Sequence, residues 1–243
     1  MSVFAKKTYE EQEWISLADL MSGLMLLFLA IAVFFMVSLG RGFEDVQTGE
    51  TNLRDSLNAA MTPEILAAWV ADFNDSTFTV TFLDQDLLFE SGSAELQEAF
   101  KETLRSFFPI WLGPLIRNEQ HGDLIRELSI EGHTSSYWEG LEGVEAYLQN
   151  MALSQARALS VLNYVVDLPV SQENWDPWLR ERITASGLSS SKIKLTDEGF
   201  EDSGQSRRVE FRMITNAEER LRQLFGDDGE FVIGRRNDTQ GPR

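Results

Sequence analysis

Residues 14–39 read WISLADLMSGLMLLFLAIAVFFMVSL, and no charged residue occurs between positions 20 and 39. At about 1.5 Å per residue, a helix of that length spans roughly 30 Å, the thickness of a bilayer's hydrocarbon core. The stretch reads as a membrane-spanning helix, which commits the rest of the chain to what can follow a single anchor. One carboxylate, Asp19, sits near its upstream end. A charged side chain inside a span costs about 2.5–3.5 kcal/mol on insertion scales, so it faces protein or water and by default marks a functional site. Ser16, Asp19, Ser22 and Gly23 share one helix face by i, i+3 and i+4 spacing. Such a stripe of small and polar residues packs against other helices. It makes Asp19 a candidate ion carrier, with Ser16, Ser22 and Gly23 lining the path. If the helix instead began at Leu20, Asp19 would be its N-cap, accepting orphan backbone N–H groups at the positive end of the helix dipole. Both readings are open at this level.

The chain has 243 residues, room for the span and one domain of ordinary size. Its net charge of −18 falls almost wholly after the span, which argues against nucleic acid as a partner, because phosphates demand a basic surface. The absence of cysteine rules out disulfides, thiolate metal sites and a lipid-anchoring thiol. The apolar run is too long for a signal-peptide core and lacks a small-x-small cleavage site, so it is expected to stay as an anchor. Lys6 and Lys7 before it are matched by Arg41 and Arg54 after it, and charge therefore leaves its orientation open.

Residues 1–13 form a short tail and 14–40 the span. Residues 41–76 read as a linker with a short helix: Thr62-Pro63-Glu64 is a helix-start signal, and Ile65, Leu66, Trp69 and Phe73 continue it to about Asn74. The segment 77–83 (TFTVTFL) predicts a strand, with 87–90 as its partner across a turn at 84–86. Ser93 is placed to cap a helix over 94–107 that Pro109 ends. Further strands are expected at 124–131, 183–186 and 208–214. Helices are expected at 153–166, with Leu153, Ala156, Leu159, Leu162 and Val166 on one face, at 175–183 and at 217–225. Strands separated by helices give an α/β sandwich over 77–225, followed by a flexible polar tail, 226–243.

Within that head, Phe89-Glu90-Ser91-Gly92-Ser93-Ala94-Glu95-Leu96, Ile130-Glu131-Gly132-His133-Thr134, Asn150 with Leu153-Ser154-Gln155-Ala156-Arg157-Ala158, and Arg207-Arg208-Val209-Glu210-Phe211 occur in order. They resemble the signatures of OmpA-like peptidoglycan-binding domains. Upstream, Leu17-Ala18-Asp19-Leu20-Met21-Ser22-Gly23-Leu24-Met25 resembles the ion-carrying span of MotB-type stator subunits. Its wording and short tail are more similar to the stators of anti-phage defence motors than to flagellar ones. The resemblance implies a homodimer working with a MotA-like polytopic membrane subunit. It also implies a cytoplasmic N-terminus, a periplasmic head, and H+ carried on Asp19 with Na+ as the alternative ion. Arg157 would meet a peptide-stem carboxylate, for which a planar guanidinium fork suits, and Asn150, Leu153, Thr134 and Ser135 would border that pocket. Ser135 stands where the family usually has an aspartate for the stem's ammonium group. An insertion through Tyr137 and Trp138 follows, in which Glu139, Glu142 or Glu145 offers a replacement charge. A flagellar stator, or a plain envelope-to-wall tether without ion transport, remains as an alternative.

No catalytic or cofactor role is expected. His121 and His133 are the two histidines, in no metal-ligand spacing, and a loop histidine is more simply a hydrogen-bonded one. Nothing assembles a nucleophile with a base. The methionines of the span read as packing residues.

Overall fold

The computed structural model describes residues 3–83, 88–90, 92–217 and 219, with the backbone alone at residues 3–18, 39, 41–46, 175 and 176. Two compact units divide the chain, residues up to Gln47 in one and residues 48–219 in the other. In the first unit the backbone is helical from Val3, as part of α1 (Val3–Ala60). Asp19 is therefore an interior helical residue with helix on both sides, and the N-cap reading is excluded. Among the described residues, Asp19–Ser38 is the stretch long and apolar enough to cross a membrane. Its Leu20, Met21, Met25 and Phe34 are exposed, as expected of a helix whose surroundings are apolar.

The second unit starts earlier than the sequence pattern suggests. Residues 41–60 are helical, as α1 continues to Ala60, and from Thr48 on they belong to this unit, where the last turns bury Leu53 and Leu57 completely, with Met61 beyond them. These residues recur at i, i+4 and i+8, one face of a helix. Glu50 accepts a hydrogen bond from Thr215 Oγ1 at 2.6 Å, and the Arg54 guanidinium lies 5.3 Å from the centre of the Phe78 ring. α2 (Pro63–Trp69) begins behind Thr62 as expected. It stops at Val70, which turns left-handed at φ 52° and directs its N–H back to the carbonyls of Leu66 and Ala67. Ala71–Asn74 then form β1, so Phe73 is a strand residue and not the end of a helix.

β1 pairs antiparallel with β2 (Thr79–Phe82), taking the place expected of residues 87–90. Phe89 makes only an isolated bridge to Leu96; the expected turn at 84–86, and Leu87, lie outside the described residues. Ser93 accepts from the Glu95 N–H at 3.0 Å, a local turn, and the helix α3 (Glu98–Ile116) starts later, behind Gln97. It also runs through Pro109 and Pro114. Each proline removes an intrahelical bond and costs about 3 kcal/mol. Phe107, Phe108, Trp111 and Leu112 are fully buried on this helix, and at roughly 1.5–3 kcal/mol each they outweigh that cost.

α4 (Glu119–Leu124) leads into β3 (Ile125–His133), followed by α5 (Gly143–Val166), β4 (Ile183–Gly187) and β5 (Arg208–Thr215). Residues 175–182 form a π-helical turn, Trp175–Leu179, and a further helical turn, Arg180–Arg182. The sheet order is β1-β2-β5-β3-β4, with β3 and β4 parallel and the other pairs antiparallel. Phe211 of the central β5 meets Phe82, Phe107 and Trp111 at ring-centre distances of 5.7, 4.8 and 5.5 Å, all edge to face. The expected helix at 217–225 and the tail 226–243 lie mostly or wholly outside the described residues.

Candidate functional site

Helical spacing in α5 predicts a buried face of Leu153, Ala156, Leu159, Leu162 and Val166. Its buried stripe is instead Ala146, Asn150, Ser154, Arg157, Ala158, Val161 and Val165, while Leu159 is 47% exposed. The reason is how close the helix lies to the sheet. A Cβ on Gly132 would stand 2.4 Å from the Ser154 carbonyl oxygen, and one on Gly187 would stand 2.3 Å from the Gln155 nitrogen. Only glycine on the strands and small residues on the helix permit that approach. Gln155 then donates from Nε2 to the Ala185 carbonyl and accepts from the Gly187 N–H at 2.8 Å. The helix is thereby fixed along the edge strand.

This docking sets three α5 side chains over the end of β3. Asn150, Leu153 and Arg157 line a cleft of about 380 Å³ together with Thr134 and Ser135, so the structure brings into one place all five residues that the resemblance assigns to wall binding. Phe89, Glu90, Gly92, Tyr137, Trp138, Glu139 and Arg207 complete the lining. Of the three glutamates offered for the missing aspartate, Glu139 lines this cleft.

The cleft's walls are stitched through Ser189, a fully buried residue in the left-handed region at φ 50°. Its carbonyl accepts from the Thr134 N–H, its N–H donates to Ser154 Oγ, and its hydroxyl donates to the Tyr147 carbonyl at 2.8 Å. Such a conformation costs a non-glycine residue about 1–2 kcal/mol, and three hydrogen bonds at one residue hold it. In the loop after Ser135, Glu201 accepts from both the N–H and the hydroxyl of Ser136, and Asn150 Nδ2 donates to the Tyr137 carbonyl at 3.2 Å.

Arg157 is 4% exposed, donates from Nε to the Ser93 carbonyl at 2.8 Å, and lies 4.8 Å from the centre of the Phe89 ring. Burial, and then the neighbouring charge of Arg207, bring its pKa down to about 10. Among the described residues no carboxylate forms an ion pair with it. A buried cation lacking a counter-ion favours an anionic ligand.

Behind the cleft, His133 Nε2 lies 3.6 Å from Glu131 Oε2 and 3.7 Å from Glu210 Oε2, within ion-pair range but beyond hydrogen-bond length. These three buried side chains have their donor atoms within 4.8 Å of one another, the spacing of a metal site. Their surroundings do not fit one. Arg208 holds Glu210 at 2.6 Å, Arg212 reaches Glu210 at 3.0 Å and Glu131 at 3.5 Å, and Lys192 adds its positive charge near Glu131. Two carboxylates already face three cations, so a divalent ion would add repulsion. Burial opposes ionisation of Glu210, but His133 and Arg208 outweigh it and hold its carboxyl well below the usual range. His133, ahead of burial and with help from Arg212, likewise lowers Glu131.

In the span, Asp19 and Ser22 lie on the described part of α1, and a Cβ on Gly23 would meet nothing within 4 Å. Ser16 is in the same helix, and its side chain lies outside the described residues.

The head is an OmpA-family domain: that family's model matches residues 88–208, the span of chain that holds every residue of the cleft. Solved structures that the chain resembles include a MotB-like protein from Desulfovibrio vulgaris (20% identity, 72% of this chain and 94% of that one, TM-score 0.45) and the cell-wall anchor of the T6SS from Pseudomonas aeruginosa (23% identity, 65% and 96%, TM-score 0.44). Among characterised relatives, the Zorya protein ZorB of Escherichia coli is 37% identical over 227 residues, covering 90% of this chain and 95% of that protein. The chain belongs to the ZorB family.

Proposed function

We propose that this chain is the wall-anchored stator subunit of an ion-driven rotary motor that serves anti-phage defence. The observation that carries the reading is the cleft itself. An uncompensated Arg157 is buried at the meeting of Thr134, Ser135, Asn150 and Leu153, in a chain that also carries a span with an acid inside its helix. The head would bind peptidoglycan there, with Arg157 holding a stem-peptide carboxylate. The span would lie in the inner membrane, with the N-terminus cytoplasmic and the head periplasmic.

A single helix cannot enclose an ion path around a carboxylate, so the reading includes a ZorA-like (MotA-like) polytopic subunit around two copies of this one. Asp19 would take up H+ from one side and release it to the other, with Ser16, Ser22 and Gly23 along the path. Each elementary charge moved down 100 mV supplies about 2.3 kcal/mol, enough to bias a small rotation. The head keeps the homodimer fixed to the wall while the partner turns. The only bond this mechanism makes and breaks is the O–H bond of the Asp19 carboxyl, and no bound cofactor enters it.

The experiment is proton flux through the purified membrane complex in vesicles, compared between the natural chain and Asp19→Asn. The variant is expected to assemble at normal stoichiometry and to carry no flux. Flux at the natural rate would remove Asp19 from the mechanism, and no flux through the natural complex would leave a wall tether.

A further inference from the structure

α5 has two faces free of charge, and the fold buries one of them. Opposite the stripe that packs on the sheet, Val144, Leu148, Ala152, Ala156 and Leu159 follow one another at helical spacing along the outer side. All five are exposed, Val144 at 73%, Leu148 at 59% and Leu159 at 47%. At 1.5 Å per residue the stripe is about 22 Å long. Gln155 borders it, and the two hydrogen bonds of Gln155 to β4 hold the helix so that this face stays outward.

The chain carries a net charge of −18, yet between positions 146 and 166 its one charged residue is Arg157, which is buried in the cleft. Two copies of so acidic a protein repel each other across most of their surfaces. The outer face of α5 lets them touch without bringing like charges together. It is also complementary to itself. When two such helices pack antiparallel about a two-fold axis near Ala152, Val144 of each copy meets Leu159 of the other, and Leu148 falls beside Ala156. Large side chains then stand over small ones, and alanine at the crossing permits the axis separation of about 8–10 Å at which helices pack.

We infer that the outer face of α5 is the surface through which the heads of two copies of this chain pair, with Ala152 on the two-fold axis. The inference rests on the two-copy reading above and names the surface that joins the heads. One helix pair buries less than the roughly 1,600 Å² of a standard interface. That suffices here, because two copies held in one membrane complex meet at an effective concentration of about millimolar. Asn150, Leu153 and Arg157 stand on the same helix, so pairing along α5 also fixes the two clefts relative to each other.

The chain has no cysteine, so cysteines introduced one at a time report the contact without background. The test is disulfide formation under mild oxidation in the membrane complex assembled from full-length protein, read as covalent dimer on a non-reducing gel. Ala152→Cys should convert rapidly to dimer, since residues on the axis come within the roughly 4.4–6.8 Å between Cα atoms that a disulfide allows. Val144→Cys alone and Leu159→Cys alone should give little dimer, whereas the two chains co-assembled should cross-link to each other, as the antiparallel arrangement requires. Glu102→Cys, exposed on α3, measures random collision. Adding Leu148→Glu to Ala152→Cys buries an unpaired charge in the contact and should slow cross-linking by about tenfold or more. The melting temperature should not change, because Leu148 lies outside the head's core.

Ala152→Cys that cross-links no faster than Glu102→Cys, in a complex whose mass shows two copies of this chain, overturns the inference. So does Ala152→Cys that couples to the polytopic subunit instead, or Val144→Cys alone that forms dimer as fast as Ala152→Cys. A mass that shows a single copy strikes at the two-copy reading itself, and this surface falls with it.

Discussion

The span and the head place their candidate functional groups in opposite ways. In the span, Asp19, Ser22 and Gly23 come from one helical turn, and their shared face follows from i, i+3 and i+4 spacing alone. In the head, the cleft draws on the segment around Phe89, the end of β3 with its following loop, α5, and the residue before β5. A helix brings near neighbours together without help from the rest of the chain, whereas the cleft exists only once the sheet, α5 and Ser189 are in place. The first kind of site should therefore tolerate changes to the head's packing and respond to a change of one functional group. The second should be sensitive to both.

The largest effect expected is that of Asp19→Asn. Ion flux should vanish while sedimentation with sacculi stays at the natural level, since the cleft borrows nothing from the span. A variant that lost wall binding as well would mean the two regions are not separable in this way. Next is Gly132→Ala. Its new methyl would meet a backbone carbonyl oxygen at 2.4 Å, a group that cannot move aside without displacing α5, and the head should lose about 3 kcal/mol or more of stability. Urea unfolding followed by tryptophan fluorescence reads this directly, and an unchanged midpoint would show that α5 is free to lift from β3.

Arg157→Ala should weaken sedimentation with sacculi by roughly tenfold to a hundredfold, as expected when a charge-assisted hydrogen bond is removed from a buried site, with Asp19-dependent flux intact in the isolated complex. Unchanged binding would locate the wall-binding surface elsewhere on the head. The smallest effect concerns acid stability. Glu131 and Glu210 have carboxyl pKa values lowered by folding, so their contribution is fully present above the unfolded carboxylate pKa of about 4.3 and is lost as the pH falls through the folded values. Glu210→Gln should lower stability at pH 7 and flatten its decline between about pH 4 and pH 2, as measured by thermal unfolding across that range. If the natural protein and the variant lose stability in parallel on acidification, the network behind the cleft does not contribute in this way.

Much of this molecule is legible in its residues alone. The span is marked by its length and lack of charge, and the residues that line the cleft by the order and spacing of their motifs. Where pattern and fold disagree, the causes are physical. Residues 41–60 carry glycines and charges that read as a linker, but Leu53, Leu57 and Met61 find the head's core and hold the helix. Pro109 reads as a helix end, yet the aromatic face around it buries more than the proline costs. On α5, close packing selects Ser154 and Ala158 over larger apolar residues, so hydrophobicity points to the wrong side. Arg207 is visible in its motif, but nothing in the order of residues separates it from Arg208.

Local composition, helical spacing and ordered motifs are enough to define the apolar anchor, the acid near its upstream end and the family of the head. The fold was needed to show that Asp19 lies within a helix rather than at its start, which arginine enters the cleft and which closes an ion network, and which glutamate of the insertion reaches the cleft. The last two depend on contacts between residues far apart in the chain, where the close approach of a helix to a sheet selects among side chains that are chemically alike.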